Sequence, residues 1–180
     1  MPSSCRAFGQ MWVHLHPLWE HRLWNEQDLR DLNQEKLTAL LDNKSPEIDA
    51  ALISDYARLV ILHRFGGVYV DADVRPIRPF DDLMDDSAEV IAGELHPHLG
   101  GPKRRIDPNV LFAAKESEII GELVRTCSGL RGGPIGILLE KTHKVKVLPY
   151  TFFHDISPGK NAYSSHWSHR LYSWGKHDRK

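Results

Sequence analysis

Cysteine is nearly absent from this 180-residue chain: Cys5 and Cys127 are the only two, and no C-x-x-C pair occurs. Neither a disulfide framework nor a zinc ribbon is therefore indicated. Excess charge is also missing, since 23 Lys and Arg stand against 24 Asp and Glu for a formal −1. That balance supplies no overall basic field of the kind that holds nucleic acid. No run approaches the roughly 18 apolar residues of a membrane span, and the N-terminus lacks the apolar core of a signal peptide, so the expectation is a soluble product with no transmembrane segment. G-x-S-x-G, H-E-x-x-H and G-x-x-x-x-G-K do not occur, nor does any repeat of fixed period.

Histidine, by contrast, is frequent at 11. The pairs His14-x-His16 and His96-x-His98 have no thiolate or carboxylate partner at short spacing, and both read as surface or loop histidines rather than metal ligands. The length suits one domain over residues 1–180, large enough to bury a core.

The chain is organised around SDYARLVILHRFGGVYVDADVRPIRP, Ser54 to Pro79. A helix is predicted from a Ser45 N-cap and Pro46 at N1, with Glu47 and Asp49 in the first turn, to Gly66-Gly67. Ile48, Leu52, Tyr56, Leu59 and Phe65 mark its core face. Ser54, Asp55 and Arg58 share a polar face, because positions three and four apart are neighbours. Val68-Tyr69-Val70 reads as a buried strand ending in Asp71-Ala72-Asp73. In an extended chain, residues two apart face the same way, roughly 6–7 Å apart along the backbone. Two such carboxylates repel when ionised, and a hard cation such as Mg²⁺ or Mn²⁺ between them is the simplest remedy. A lone D-x-D is more often a solvated turn, but this one follows a strand, where open α/β sheets bind ligands.

Ser54-Asp55, Arg58, Gly66-Gly67, Asp71 and Asp73 match, in order and spacing, the glycosyltransferase sugar-binding region with the DXD motif. The chain thus resembles glycosyltransferase family 32. Upstream, Pro17 followed by Trp19-Glu20-His21-Arg22-Leu23-Trp24 resembles the family's segment in which a helix leads through a proline into a W-E-x-R-L-W strand. Family members carry an earlier strand near P-K-I-I-H-Q-x-W, whereas this chain opens MPSSCRAFGQ. The first strand is therefore expected to be missing, and the domain to be N-terminally truncated relative to the family.

Further along, Asn25 to Asn33 reads as a polar turn and short helix, Glu35 to Leu41 as a helix, and Asp42 to Ser45 as a turn. Arg75 to Pro79 must be extended, Glu89 to Gly93 is a strand candidate, and His96 to Pro108 is a Gly/Pro-rich loop. Within it, Lys103-Arg104-Arg105 reads as solvated surface, as does the tail His177 to Lys180, unless a basic loop helps to hold a diphosphate. Asn109 to Ala114 reads as a strand. A helix from about Ser117 to Cys127 follows, with Ile119, Ile120, Leu123, Val124 and Cys127 on its apolar face. Asn109 is either a turn residue or, by the resemblance, near the sugar-binding site. Lys144 to Pro149 alternates like a half-exposed strand. Gly132-Gly133-Pro134 resembles the family's T-G-P turn, and His166-Trp167 with Ser173-Trp174 resembles its closing H-H-W and S-W, although Ser165 stands where a His is usual. Ordinary aromatic packing is the other reading of that last segment.

The resemblance implies a GT-A-like, Rossmann-type α/β domain with a mixed, mostly parallel sheet flanked by helices. It implies a metal-dependent transfer of a hexose from a UDP- or GDP-sugar to a glycan, polysaccharide or glycolipid acceptor, with retention. Asp71, Asp73 and His166 would hold Mn²⁺ or Mg²⁺. Ser54, Asp55, Arg58, Gly67, Asp71, Asn109 and Trp167 would bind the donor, and Asp55, Arg58 and Asp73 would carry catalysis. The setting would be cytoplasmic in a bacterial member, or Golgi-associated in a eukaryotic one whose anchor is missing. Two other readings stand beside it. One is a truncated, inactive binding domain. The other is a phosphohydrolase of the haloacid dehalogenase type, which VYVDADV fits by letter but which needs a later acidic pair that the chain does not show.

Overall fold

The computed structural model describes residues 3–43, 50–84, 88–95, 106–127, 144–153 and 161–166. The expected Ser45 cap and Pro46, Ile48, the His96-x-His98 pair, the basic cluster Lys103 to Arg105, the Gly132-Gly133-Pro134 turn, Trp167, Ser173-Trp174 and the basic tail lie outside the described residues. Six helices occur among those described: α1 (Ser3–Leu15), α2 (Glu26–Arg30), α3 (Glu35–Asp42), α4 (Ala50–Phe65), α5 (Asp81–Met84) and α6 (Glu118–Thr126). The strands are β1 (Gly67–Val70), β2 (Val74–Pro76), β3 (Val90–Glu94), β4 (Ile106–Ala113), β5 (Val145–Leu148) and β6 (Ser164–His166). None of these helices is long and apolar enough to cross a membrane.

One sheet has the order β1-β4-β3-β5, and a second pairs β2 with β6. This is the expected mixed α/β arrangement flanked by helices, consistent with a GT-A-like domain, but its predominant sense differs from expectation. β1–β4 and β3–β4 run antiparallel, and only β3–β5 is parallel. The cause is chain length: residues 95–105 are all that separates β3 from β4, whereas a parallel crossover needs a dozen residues or more. β3 and β5, by contrast, are separated by β4 and α6.

Alternation along the central strands divides the core. Leu111 and Ala113 of β4, with Val90 and Ala92 of β3, meet Leu59 and Leu62 of α4 and Ile120, Leu123 and Cys127 on and just after α6. Val110 and Phe112, with Ile91, face the other way onto Trp12, Phe80, Leu148 and Phe153. This is the two-residue period of a pleated strand. A third cluster joins Leu37 and Leu41 of α3 to Tyr56, Ala57, Val60 and Ile61 of α4. α4 therefore buries more than the single face expected, because it is packed between the sheet and α3. Phe65 is a correction: it is 48% exposed and lies beside Trp24, with ring centroids 5.5 Å apart.

Local chemistry accounts for several boundaries. Asn25 caps α2 in a capping box with Asp28, and Gln34 and Ser117 cap α3 and α6 through their side chains. Trp19 to Trp24 forms no ladder among the described residues; it is irregular chain, pinned where Arg22 stacks on Trp24 at 4.0 Å and pairs with Asp28 at 2.9 Å. Val68 to Val70 is half-buried rather than buried, since β1 stands at the end of the strand order. Ile106 to Pro108, expected in a loop, opens β4. Both cysteines are free and buried.

His14 is exposed as expected, but His16 is buried. Its Nε2 accepts the Phe80 N–H at 2.9 Å and its Nδ1 lies 3.2 Å from the Trp12 carbonyl, an arrangement that suits a ring proton on Nδ1. Together with the Trp12 indole N–H donating to the Val74 carbonyl at 3.0 Å, it ties α1 to the chain that follows the D-x-D.

At Gly66, which ends α4 with φ +69°, a Cβ would stand 2.6 Å from the Lys115 backbone nitrogen. Gly66→Ala is expected to lower stability by about 2–4 kcal/mol, combining left-handed backbone strain with overpacking, as read by urea unfolding. Glu89 provides a pH handle. Its Oε1 accepts from Ser117 Oγ at 2.7 Å and from the Ile119 N–H at 3.1 Å. Burial works against its charge, but these bonds and Lys144 outweigh it and hold its pKa below the ordinary value. A depressed carboxylate contributes stability that is complete above its unfolded pKa and is lost as pH falls through the folded one. Glu89→Gln should therefore flatten the acid limb of the stability–pH curve while leaving its shape above neutrality unchanged.

Candidate functional site

β1 delivers its last paired residue, Val70, opposite Val110, and the next backbone N–H, that of Asp71, donates to the Asn109 carbonyl at 2.9 Å. The chain then reverses. The Val74 N–H bonds back to the Asp71 carbonyl at 3.0 Å, the three-residue closure of a β-turn. Asp71 and Asp73 are thus gathered by a turn, not by the pleat of an extended strand as the sequence suggested. β6 pairs antiparallel with β2, setting His166 opposite Val74, and this brings an imidazole from far down the chain beside the turn. His166 Nε2 is 3.4 Å from Asp73 Oδ1. One ligand atom each from Asp71, Asp73 and His166 lie within 4.8 Å of one another.

β4 carries an irregularity at this point. Ala92 of β3 faces Leu111, but its neighbour Gly93 faces Asp107, so Pro108, Asn109 and Val110 bulge out of the β3 ladder while β1 continues to pair with Val110. Bulges of this kind tolerate proline and re-aim side chains next to sites. Asn109 is anchored by its N–H donating to Asp107 Oδ1 at 3.1 Å, and its amide nitrogen lies 2.9 Å from His166 Nδ1. The same amide nitrogen lies 3.2 Å from Nε2, so the ring's tautomer decides which nitrogen accepts and which keeps its lone pair for the cluster. Asn109 therefore touches both sides of the cluster, Asp71 through its backbone and His166 through its side chain.

Behind Asp71 is Arg58, 3% exposed. Its Nη2 lies 2.7 Å from Asp55 Oδ1 and 3.3 Å from Asp71 Oδ1. Its Nη1 donates to the Pro108 carbonyl at 2.8 Å, and its Nε to the Ser54 carbonyl at 3.4 Å. The guanidinium also sits over the Tyr69 ring, 4.8 Å from its centroid. Tyr69 Oη donates to Asp71 Oδ1 at 2.8 Å and is 2.9 Å from Ser54 Oγ. Gly67 begins β1, at the opposite end of the strand from Asp71, and its φ of +90° belongs to the turn out of α4.

The electrostatics are those of a crowded, partly dehydrated acid cluster. Burial pushes Asp71 above the ordinary carboxylate pKa, against the pull of Arg58 and the Tyr69 hydroxyl. For Asp73 burial acts the same way, but the hydrogen bond and charge of His166 outweigh it and the net shift is downward. Burial opposes charge on His166, yet Asp73 wins and its pKa is raised. Burial likewise opposes Arg58, and the surrounding acidic groups Tyr69, Asp71, Asp55 and Asp107 more than compensate. Burial keeps the Tyr69 phenol neutral far above physiological pH. Two carboxylates and an imidazole converging at this distance form a donor set able to hold a divalent cation.

Three parts of the site escaped the sequence reading as site residues. Tyr69 lies two residues before Asp71, so the strand period places both on one side, and that period was the available signal. Asp107 precedes Asn109 by the same step. The Pro108 carbonyl, a backbone group exposed by a bulge, has no sequence signal.

No curated protein sequence matches the chain. The sequence model of the glycosyltransferase sugar-binding region containing the DXD motif matches residues 2–89, which includes Ser54, Asp55, Arg58, Asp71 and Asp73 but not Asn109 or His166. Residues 2–89 are thus similar to the glycosyltransferase sugar-binding region containing the DXD motif.

Proposed function

We propose that this chain is a metal-dependent hexosyltransferase that takes its sugar from a UDP- or GDP-sugar and passes it, with retention, to a glycan, polysaccharide or glycolipid acceptor. The observation that carries the reading is the convergence of Asp71, Asp73 and His166, with ligand atoms within 4.8 Å of one another at the exit of β1. The family match supplies the glycosyltransferase class. The groups bonded to Asp71 and Asp73 are Arg58, Tyr69 and His166, a setting that offers the phosphohydrolase reading no support.

Cleavage of a nucleotide-sugar bond builds negative charge on the departing diphosphate; Asp71, Asp73 and His166 would hold Mn²⁺ or Mg²⁺, which would supply Lewis-acid stabilisation of that charge. The chain's own groups provide the geometry. Asp55, fixed by its 2.7 Å contact with Arg58, accepts hydrogen bonds from donor-sugar hydroxyls and orients the ring. Arg58 acts by holding Asp55 and Asp71 rather than by gripping the sugar, since its nitrogens are already engaged and its side chain is buried. Asn109 keeps His166 facing Asp73. Trp167, the residue after His166, enters this reading as a donor-binding residue through the family resemblance alone.

Calorimetric titration of UDP and GDP, with and without Mn²⁺, tests this. One nucleotide should bind only with the metal, and Asp73→Asn should weaken that binding by on the order of tenfold or more, as loss of a metal ligand requires. If the folded protein binds neither nucleotide with Mn²⁺ present, the reading fails. If it binds one but transfers and hydrolyses no sugar, the chain is a binding domain.

A further inference from the structure

We propose that Tyr69 is the positioning residue for Asp71, the last link of a one-way hydrogen-bond relay that starts at Ser54 and fixes which way the Asp71 carboxylate faces; this rests on the cation-binding reading of the site. The direction of the relay follows from donor capacity. An ionised carboxylate only accepts, so the phenol must donate to Asp71 Oδ1 at 2.8 Å. Its proton being used there, the 2.9 Å contact with Ser54 Oγ is made by the serine hydroxyl donating to the phenol oxygen. Donors arranged in series polarise one another, strengthening the terminal bond to the carboxylate.

The phenol is also immobile. Its ring packs against the core cluster that contains Leu59, Leu62 and Leu111, and the Arg58 guanidinium lies over it at 4.8 Å. Without the hydroxyl, Asp71 Oδ1 would keep, among the described residues, only the longer 3.3 Å contact to Arg58 Nη2. That nitrogen is shared with Asp55 at 2.7 Å, so it leans to the competing carboxylate. A cation ligand whose rotation is unconstrained binds more weakly, because ordering it is charged against the binding free energy. Ser54 is then no donor-sugar ligand: it reaches the site through Tyr69.

Titration with Mn²⁺ alone, followed by the electron paramagnetic resonance signal of the free ion, reads the relay without requiring any sugar substrate. The parent protein should bind one Mn²⁺ and Asp71→Asn should lose it. Tyr69→Phe, which keeps the ring in the core, should bind about tenfold more weakly, in the range seen when groups behind metal ligands are removed. Its metal-free unfolding midpoint should stay close to the parent's, a result that a purely structural tyrosine would not combine with weakened Mn²⁺ binding. Ser54→Ala should weaken binding in the same direction by a smaller factor, and it decides the matter should Tyr69→Phe not fold. Parent-like Mn²⁺ affinity in Tyr69→Phe and Ser54→Ala, with Asp71→Asn still defective, overturns the relay and leaves the cation site standing. Absence of Mn²⁺ binding by the parent protein overturns the cation site and the relay with it.

Discussion

A guanidinium buried to 3% exposure sets the terms for everything around it. An unpaired charge in that position would be prohibitive, and a paired one is tolerated only when its remaining donors are also met. Arg58 obtains its partners from four separate places: Asp55 one turn back on its own helix, Asp71 after β1, the Pro108 carbonyl in the β4 bulge and the Ser54 carbonyl. These requirements lock α4 to β1 and β4. Asp71 therefore owes its placement to a demand made by the core, and the same demand leaves it in a partly dehydrated setting that favours a cation beside it.

Each element next to Arg58 departs from regularity in a way that serves this arrangement. Gly66 takes a left-handed conformation that lets α4 pass beneath the Lys115 backbone and start β1 at once. The bulge at Pro108 to Val110 frees a carbonyl for Arg58 and turns Asn109 towards His166. The turn from Asp71 to Val74 brings the two aspartates together. The regular parts, chiefly β3 and β4 with apolar side chains on both faces, hold these irregular parts still.

Much of this was legible beforehand where a local rule governs. The Gly66-Gly67 stop, the Asn25 turn and short helix, the helix from Ser117 and the strands at Glu89, Asn109 and Lys144 follow from caps, periods and turn residues that act within a few positions. The D-x-D and its Ser-Asp-Arg helix were legible as a compound pattern. What was not legible depends on contacts between distant segments. The burial of His16 against Phe80 and the exposure of Phe65 are set by which surfaces meet, and no residue announces them. Arg58 read as a polar-face residue because helical spacing cannot say that the polar face is turned inward onto other charges.

The β2–β6 ladder has a consequence for how the cluster is held together. Asp71 and Asp73 share one turn, whereas His166 lies on a short strand that pairs with β2 across a long sequence separation. Contacts of that range carry a loop-closure cost that the two aspartates, two residues apart, do not. The cluster is therefore whole only where β6 has paired with β2, so any change that loosens this short ladder separates the imidazole from the acidic pair and leaves the four-stranded sheet untouched.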